Sequence, residues 1–254
     1  MSTKRVLLID GDTLAYQQSI LAEQPIDWGD GFWTLHAYSK EVIAAVENRI
    51  ANFIEDLQAD EAVICLSDHN NFRQEILPTY KEHRKKTRRP LCLGDIREHL
   101  IFKHKALIYP RLEADDVIGI NSTENLRRDS EIIIVGIDKD YKTIPCKFYN
   151  PDKPDLGIVE QSPLEADRFW MMQALMGDAV DGYKGCPTVG PKKAEALLGF
   201  AESFDEMWEI VKNTYVKNGL TELDAIVHAQ VSRILRFGDY NKKTKKINVW
   251  TPKK

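Results

Sequence analysis

The chain has 254 residues, 43% hydrophobic and 29% charged, with a net charge of −4. That length suits one large α/β domain, or a domain plus a smaller helical lobe, and the composition is ordinary for a soluble globular protein. No apolar run approaches the roughly 18 residues a bilayer requires, and the first strand is too short for a signal peptide. The four cysteines form no C-x-x-C pair, which argues against zinc and fits a reducing, cytoplasmic setting.

Val6 to Ile9 is a short apolar run ending in Asp10, read as a buried strand of a parallel sheet. Asp10 then projects at the strand's carboxyl end, where open α/β sheets bind ligands. A turn or helix cap accounts for Asp10 as readily, and for Asp12 better. Residues 22–38, rich in Gly, Asp, Trp and Pro, read as a long loop whose Trp28, Phe32 and Trp33 tuck down rather than meet a ligand. Ser39 to Leu57 is an amphipathic helix with Val42, Val46, Ile50 and Phe53 on one face. Ala62 to Leu66 is a second strand, ending at Ser67-Asp68.

From Lys81 to Arg89 the composition changes: Lys81, Arg84, Lys85, Lys86, Arg88 and Arg89 are basic. A charge run is usually a solvated face. This one has a single sign and follows Phe72, Arg73 and Tyr80, so a phosphate-binding element that gains affinity by counterion release fits better. An aromatic at its base could stack on a nucleobase. Gly94 to Lys105 reads as a helix, which makes 72–105 a helical excursion between two strands.

An apolar run, Ala106 to Tyr109, leads into L-E-A-D-D-V-I-G (112–119), the start of a helix drawn to about Arg128. Glu113, Asp115 and Asp116 fall in its first turn, where acids by themselves simply complement the helix dipole. Glu131 to Ile137 is the clearest buried strand and ends in Asp138-Lys139-Asp140. One or two short strands follow in Lys142 to Tyr149, then a Pro/Asp/Gly-rich connection. Ser162 to Met176 is a helix opening on an S-x-x-E capping box and closing on G-D-A-V-D-G, with Asp178 and Asp181. Gly185 to Gly190 is a tight hairpin into a helix whose first turn carries Lys192 and Lys193. Lysines there oppose the dipole, so something anionic is expected to bind. Helices over Glu202–Asn218 and Thr221–Phe237 and a lysine-rich tail with I-N-V-W as a late strand complete the chain.

Nine acids thus recur at element ends: Asp10, Asp68, Glu113, Asp115, Asp116, Asp138, Asp140, Asp178 and Asp181. Setting them aside from a net −4 leaves +5 for the rest, so the average charge hides a segregation. If they converge on one sheet edge they require cations. Oxygen ligands without His or Cys select Mg²⁺ or Mn²⁺ over zinc, and so many carboxylates suit two or more ions. Paired ions are a device for phosphodiester hydrolysis with water as nucleophile.

The succession I-D-G-D, S-D…F-R…Y-K-E-H-R, L-E-A-D-D, I-D-K-D, G-D-A-V-D-G and R-I-L-R-F…Y-N…W, from about Val6 to Trp250, resembles the flap endonuclease superfamily of structure-specific 5′ nucleases. It looks most like the phage-encoded 5′→3′ exonucleases. The resemblance implies a mainly parallel central sheet with helices on both faces, of PIN/5′-nuclease type, over 1–162, with a basic gateway at 72–105. A helical lobe over 163–254, packed with it as one unit, would carry a helix-hairpin-helix element at 181–199. Asp10, Asp68, Glu113 and Asp115 would serve a first metal ion, Asp116 would lie between sites, and Asp138, Asp140, Asp178 and Asp181 would hold a second. Lys81 and Arg84 would contact the scissile phosphate and Tyr80 would stack on the terminal nucleotide, with Lys85, Lys86, Arg88 and Arg89 along the substrate strand. Gly185, Thr188, Gly190, Lys192 and Lys193 would hold duplex phosphates, with a K⁺ at the hairpin. The implied activity is metal-dependent cleavage, by a monomer, of DNA with a 5′ end or 5′ flap, and of RNA in RNA–DNA hybrids.

The family's hairpin has a glycine where this chain has Thr188, and the segment from Ala22 to His36 has no counterpart. Three rivals fit less well. L-L-I-D-G-D-T-L resembles the haloacid dehalogenase nucleophile motif, but Thr13 comes one residue too early. A PIN-type ribonuclease is shorter and lacks the hairpin. A module that only bound DNA would have no reason to hold nine acids against phosphates.

Overall fold

The computed structural model describes residues 3–124 and 130–253. Its centre is β1 (Lys4–Asp10), inside a five-stranded sheet of order β4-β1-β5-β6-β7, with β4 at Glu61–Cys65, β5 at Ser130–Val135, β6 at Lys147–Tyr149 and β7 at Ile158–Glu160. Every pairing is parallel except β6 with β7. Leu7, Ile9, Ile133 and Val135 face one side of the sheet, against α1 (Gly11–Leu21), α2 (Ser39–Asp56) and α4 (Leu93–His104). Leu8, Cys65 and Ile134 face the other, with α5 (Ala114–Ser122), Ile234-Leu235 and Ile76 of the short α3 (Arg73–Ile76). Both faces are covered, which is why V-L-L-I runs without polar alternation.

Asp10 pairs in register with Cys65, and Ile9 with Val135. The chain therefore leaves β1, β4 and β5 on one edge of the sheet. From β1 it winds out to β4 and later returns to β1's other side as β5. The carboxyl end of β1 is thus a topological switch point, the place where such sheets open a crevice.

Helices α6 (Pro163–Met176), α7 (Pro191–Leu198), α8 (Phe204–Lys217) and α9 (Glu222–Ser232) share a separate core around Trp170, Met171, Leu175, Met207, Trp208 and Tyr215. The Ser162–Glu165 capping box forms as the sequence indicates. The tail folds back over this core, with the Trp250 ring 5.2 Å from that of Trp170 and 4.9 Å from that of Trp208.

Several expectations need correction. Gly11–Leu21 is helical, started by the Asp10 cap, where the sequence showed no helix. Residues 22–38 are not a loop but carry a hairpin, β2 (Gln24–Asp27) with β3 (Trp33–His36), closed by Gly29, Asp30 and Gly31 at positive φ. Its Trp28, Phe32 and Trp33 stand about 60% exposed rather than tucked down. Ala106 to Tyr109 joins the sheet through a single parallel bridge, Leu107 with Cys65. The α5 helix, expected to run to about Arg128, stops at Ser122 with Thr123 as its C-cap, and residues 125–129 lie outside the described residues. The last helix stops at Ser232 and not at Phe237, because α5 and Arg73 claim its would-be continuation. Leu235 N donates to Asp116 Oδ1 at 3.0 Å, and Arg73 Nη2 donates to the Arg233 carbonyl at 2.6 Å.

Candidate active site

The edge beyond β1 gathers acids from four segments. Asp10, the last residue of β1, caps α1 by accepting from Thr13 N at 3.0 Å and Thr13 Oγ1 at 2.6 Å, and it also accepts from Tyr141 Oη at 2.9 Å. L-E-A-D-D opens α5 with Glu113 as N-cap in a capping box with Asp116. Asp138 caps a 3₁₀ turn (Lys139–Thr143) by accepting from Asp140 N at 2.9 Å. Asp178 ties its own loop, accepting from Val180 N at 2.7 Å and from Lys139 Nζ at 2.7 Å. Asp10, Glu113, Asp138 and Asp178 are thus also local caps or turn ties, as acids at element ends commonly are.

What binds them is a chain of charged contacts. Lys81 Nζ lies 2.6 Å from Glu113 Oε1 and 3.6 Å from Asp181 Oδ2, so one ammonium spans the α5 acids and the 178–181 loop. Lys81 sits in the left-handed region (φ 52°) with its N–H donating to the Asp181 carbonyl at 2.8 Å, which docks the basic segment onto that loop. Arg84 Nη2 pairs with Asp181 Oδ1 at 2.8 Å. Tyr80 Oη meets Glu113 Oε2 at 2.9 Å.

Protonation shows where charge is uncompensated. Glu113 is pulled down to about 2, because Lys81 and Arg73 outweigh its burial. Asp115 goes the other way: burial, then the charges of Glu113, Asp116 and Asp10, push it well up, and among the described residues its carboxylate has no hydrogen-bond partner. Asp138, although exposed to solvent, is raised by partial desolvation among its neighbours and by Asp181 and Asp10. Asp140 is pushed up to about 7 by burial and by Asp138, with Gln173 as its side-chain donor. Asp178 is held below its ordinary value because Lys139 offsets burial. Carboxylates crowded at one edge favour a nearby cation, and oxygen-only donors fit Mg²⁺ or Mn²⁺.

A pH dependence follows for the chelator-treated protein. Asp140 binds its proton more tightly folded than unfolded, so it contributes stability below its unfolded value near 4 that is lost as pH rises through about 7. In EDTA the melting temperature is expected to rise by several degrees from pH 8 to pH 5.5, and excess Mg²⁺ should cancel much of that slope. Melting curves at both pH values check this; a flat EDTA profile contradicts it.

Not every sequence candidate lies where expected. Asp116 is fully buried and gripped by Arg73 through two bonds of 2.7 Å, so it is a framework residue and not an open ligand between two sites. Tyr80 is only 2% exposed, its ring under Lys81, so in this structure it orients Glu113 instead of offering a face to a nucleotide. Asp68 is held by backbone N–H groups, Arg111 N at 2.7 Å among them, and shares no hydrogen bond or ion pair with the other eight acids. Gly185 has φ 66° and faces Gly177, where an added Cβ would sit 2.2 Å from Gly177 N; close backbone packing requires this glycine. Thr188 has φ 63°, a conformation that favours glycine, with Lys193 Nζ 3.4 Å from its carbonyl. Gly190 caps α7, and Lys192 is exposed in the first turn.

Among the basic run, Arg84, Arg88 and Arg89 line a cavity of about 620 Å³ with Asp12, Asp68, Arg97 and Tyr16. Arg88 also pairs with Glu23 at 2.5 Å, and Lys86 is exposed. The Lys85 side chain lies outside the described residues. Sequence reasoning missed Arg73, Arg97, Tyr141 and Gln173 as partners of the acids. Arg97 donates to the Ser67 carbonyl at 2.8 Å and pairs with Asp12, which itself accepts from Ser67 N at 2.7 Å. Only Arg73 had a signal, the F-R of the 5′-nuclease pattern.

A family model described as "5′-3′ exonuclease, N-terminal resolvase-like domain" matches residues 5–147. The exodeoxyribonuclease of Enterobacteria phage T3 and the exonuclease of Escherichia phage T7 are each 29% identical, over 98% of this chain and 94% of theirs. Among solved structures, the bacteriophage T5 protein co-crystallised with metal ions superposes with a TM-score of 0.67 at 14% identity, covering 90% of this chain and 89% of that one. The T5 flap endonuclease as a pseudo-enzyme–product complex with DNA and metal ions gives 0.65, at 14% identity and 89% of each chain. At that identity the superposition speaks for the fold, a mainly parallel sheet between helices.

Proposed function

The chain belongs to the 5′-3′ exonuclease family, and from that premise we propose a divalent-metal-dependent nuclease that hydrolyses DNA from a 5′ end or at a 5′ flap. The observation that carries it is the set Asp115, Asp138 and Asp140 at the sheet's edge, each raised by desolvation and by neighbouring acids of that edge, beside Glu113 with its Lys81 ammonium. Asp10, Asp68, Glu113 and Asp115 would hold one ion, and Asp138, Asp140, Asp178 and Asp181 another, with Mg²⁺ as the natural ion and Mn²⁺ a substitute. Such ions supply a nucleophilic water near neutral pH and neutralise charge on the leaving oxygen.

The chain's own residues do the rest. Lys81 and Arg84 place two cations where the acids would otherwise repel a phosphodiester, and each can exchange a carboxylate for a phosphate oxygen. Tyr80 fixes Glu113. Arg88, Arg89 and Lys86 line or flank the cavity over which the 5′ strand would lie. Residues 163–254 act in this reading as the duplex-binding lobe, with Lys192 at the start of α7 on a backbone phosphate without reading sequence. The K⁺ expected at the hairpin has a rival in Lys193, whose ammonium already approaches the Thr188 carbonyl. Cleavage of RNA in hybrids and action as a monomer belong to the same proposal.

The test is digestion of 5′-labelled duplex, flap and RNA–DNA hybrid substrates in Mg²⁺, with parallel binding in Ca²⁺. Cleavage should stop in EDTA while binding in Ca²⁺ persists; metal-independent cleavage, or binding without cleavage in Mg²⁺, would overturn the reading. Lys81→Ala should lower single-turnover cleavage on the order of 100-fold, as for loss of one preorganised donor, and change DNA affinity far less. A loss confined to affinity contradicts its placement at the reacting phosphate.

A further inference from the structure

Away from the acid edge, α2 and α4 meet through three side chains that the nuclease reading does not use. Glu47 projects from α2, and His99 and His104 from α4. His99 Nε2 lies 2.7 Å and His104 Nε2 2.6 Å from the same oxygen, Glu47 Oε1. Among the described residues this is the only trio of His, Cys, Asp or Glu whose ligand atoms all fall within 4.8 Å of one another. Among the described residues, no trio of the acids at the sheet's edge meets that distance. The His pair is spaced i, i+5, which a regular helix sets about 140° apart around its axis, so the convergence comes from the approach of α2 and not from a helical motif.

We propose that Glu47, His99 and His104 form a second metal site, for a borderline transition ion of the Zn²⁺, Co²⁺ or Ni²⁺ class, that staples α4 to α2. Two imidazole nitrogens and one carboxylate oxygen are the donor set such ions prefer over Mg²⁺. Zinc bonds of about 2.0–2.1 Å in a tetrahedron set ligand atoms about 3.3 Å apart, so the rings need to open by only about 0.7 Å. The three side chains are between 19% and 26% exposed, which leaves a fourth position open to water and a path for the ion to enter. Each ring would present a bare Nε2 and carry its proton on Nδ1, and neither Nδ1 has a partner among the described residues to oppose that tautomer. Lys103 Nζ, 2.7 Å from Glu47 Oε2, is 56% exposed and can swing into solvent as the ion enters. The consequence is mechanical: α4 also carries Arg97, which holds Ser67 and Asp12 beside the cavity, so a staple at the far end of α4 steadies that wall.

The test uses the full chain with Mg²⁺ in millimolar excess to occupy the carboxylate edge, and Co²⁺ as the probe. One equivalent should give the visible d–d absorption of a nitrogen-ligated, low-coordinate ion, bleached by Zn²⁺. His99→Ala and His104→Ala should each weaken binding on the order of 100-fold, and Asp115→Asn should leave the band unchanged. Zn²⁺ added over Mg²⁺ should raise the melting temperature of the parent protein but not of either histidine variant. Mg²⁺-supported cleavage by His99→Ala should match the parent, which also shows that the variant folds; Glu47→Gln serves as a second, bond-preserving variant. No band in the parent protein, a band that survives His99→Ala, or one lost in Asp115→Asn would each overturn the site. None of those outcomes bears on the nuclease assignment.

Discussion

Asp115→Asn is expected to lower single-turnover cleavage by roughly 1000-fold or more while DNA binding in Ca²⁺ stays within about threefold. The amide keeps the volume and loses only the charge. Asp115 is the acid with no hydrogen-bond partner among the described residues and with Glu113, Asp116 and Asp10 all raising it. A carboxylate so placed is costly in the metal-free fold, and a cation offsets that cost. The same variant should therefore melt higher than the parent in EDTA and respond less to Mg²⁺. Activity loss alone could come from many causes; the opposite movement of stability identifies an uncompensated buried charge. Wild-type cleavage by Asp115→Asn would remove Asp115 from the site.

Arg73→Ala should have the largest effect on stability. Arg73 is 2% exposed, grips Asp116 through two bonds of 2.7 Å, and donates to the carbonyls of Val231 at 3.0 Å and Arg233 at 2.6 Å. Its removal strands the Asp116 carboxylate without its counter-ion and leaves two carbonyls unpaired where α9 ends. Breaking a buried pair from one side costs about 3–5 kcal/mol, and in a chain of this size each kcal/mol moves the melting temperature by about 2–4 °C. Arg73→Lys should recover only part, since an ammonium cannot reproduce the two-pronged grip. Replacing both partners, Arg73→Met with Asp116→Leu, should be far milder than either single change. A melting temperature within about 2 °C of the parent for Arg73→Ala would show that the pair contributes little.

The nine acids are legible in the sequence because of where they fall, not because acids are rare. Asp10, Asp68 and Asp138 each follow a short run of β-branched and aliphatic residues, and in a parallel sheet all such runs end on the same side. Glu113 and Asp178 sit at a helix start and a helix end, where the chain must turn. Legibility failed where a role depends on a partner distant in sequence. Asp116 carries the same motif signal as Asp115, yet one is locked by Arg73 and the other left unpaired. Tyr80 reads as a stacking aromatic, but contact with Glu113 and burial beneath Lys81 make it a prop. The hairpin at 24–36 escapes sequence reasoning because paired Gly and Asp residues signal a turn without saying whether the flanks will pair.

The main apolar strands of the sheet, their parallel polarity and the acids that end them were legible in the sequence by itself, since these depend on periodicity and on which residues end each apolar run. Only the tertiary structure decided which carboxylates are paired with arginine or lysine, as Asp116 with Arg73, and which are not, as Asp115. It alone brought Glu47 of one helix to His99 and His104 of another. The physical reason is the same in both cases: protonation and ligation are set by burial and by charges a few ångströms away, and neighbours at that range come from anywhere in the chain.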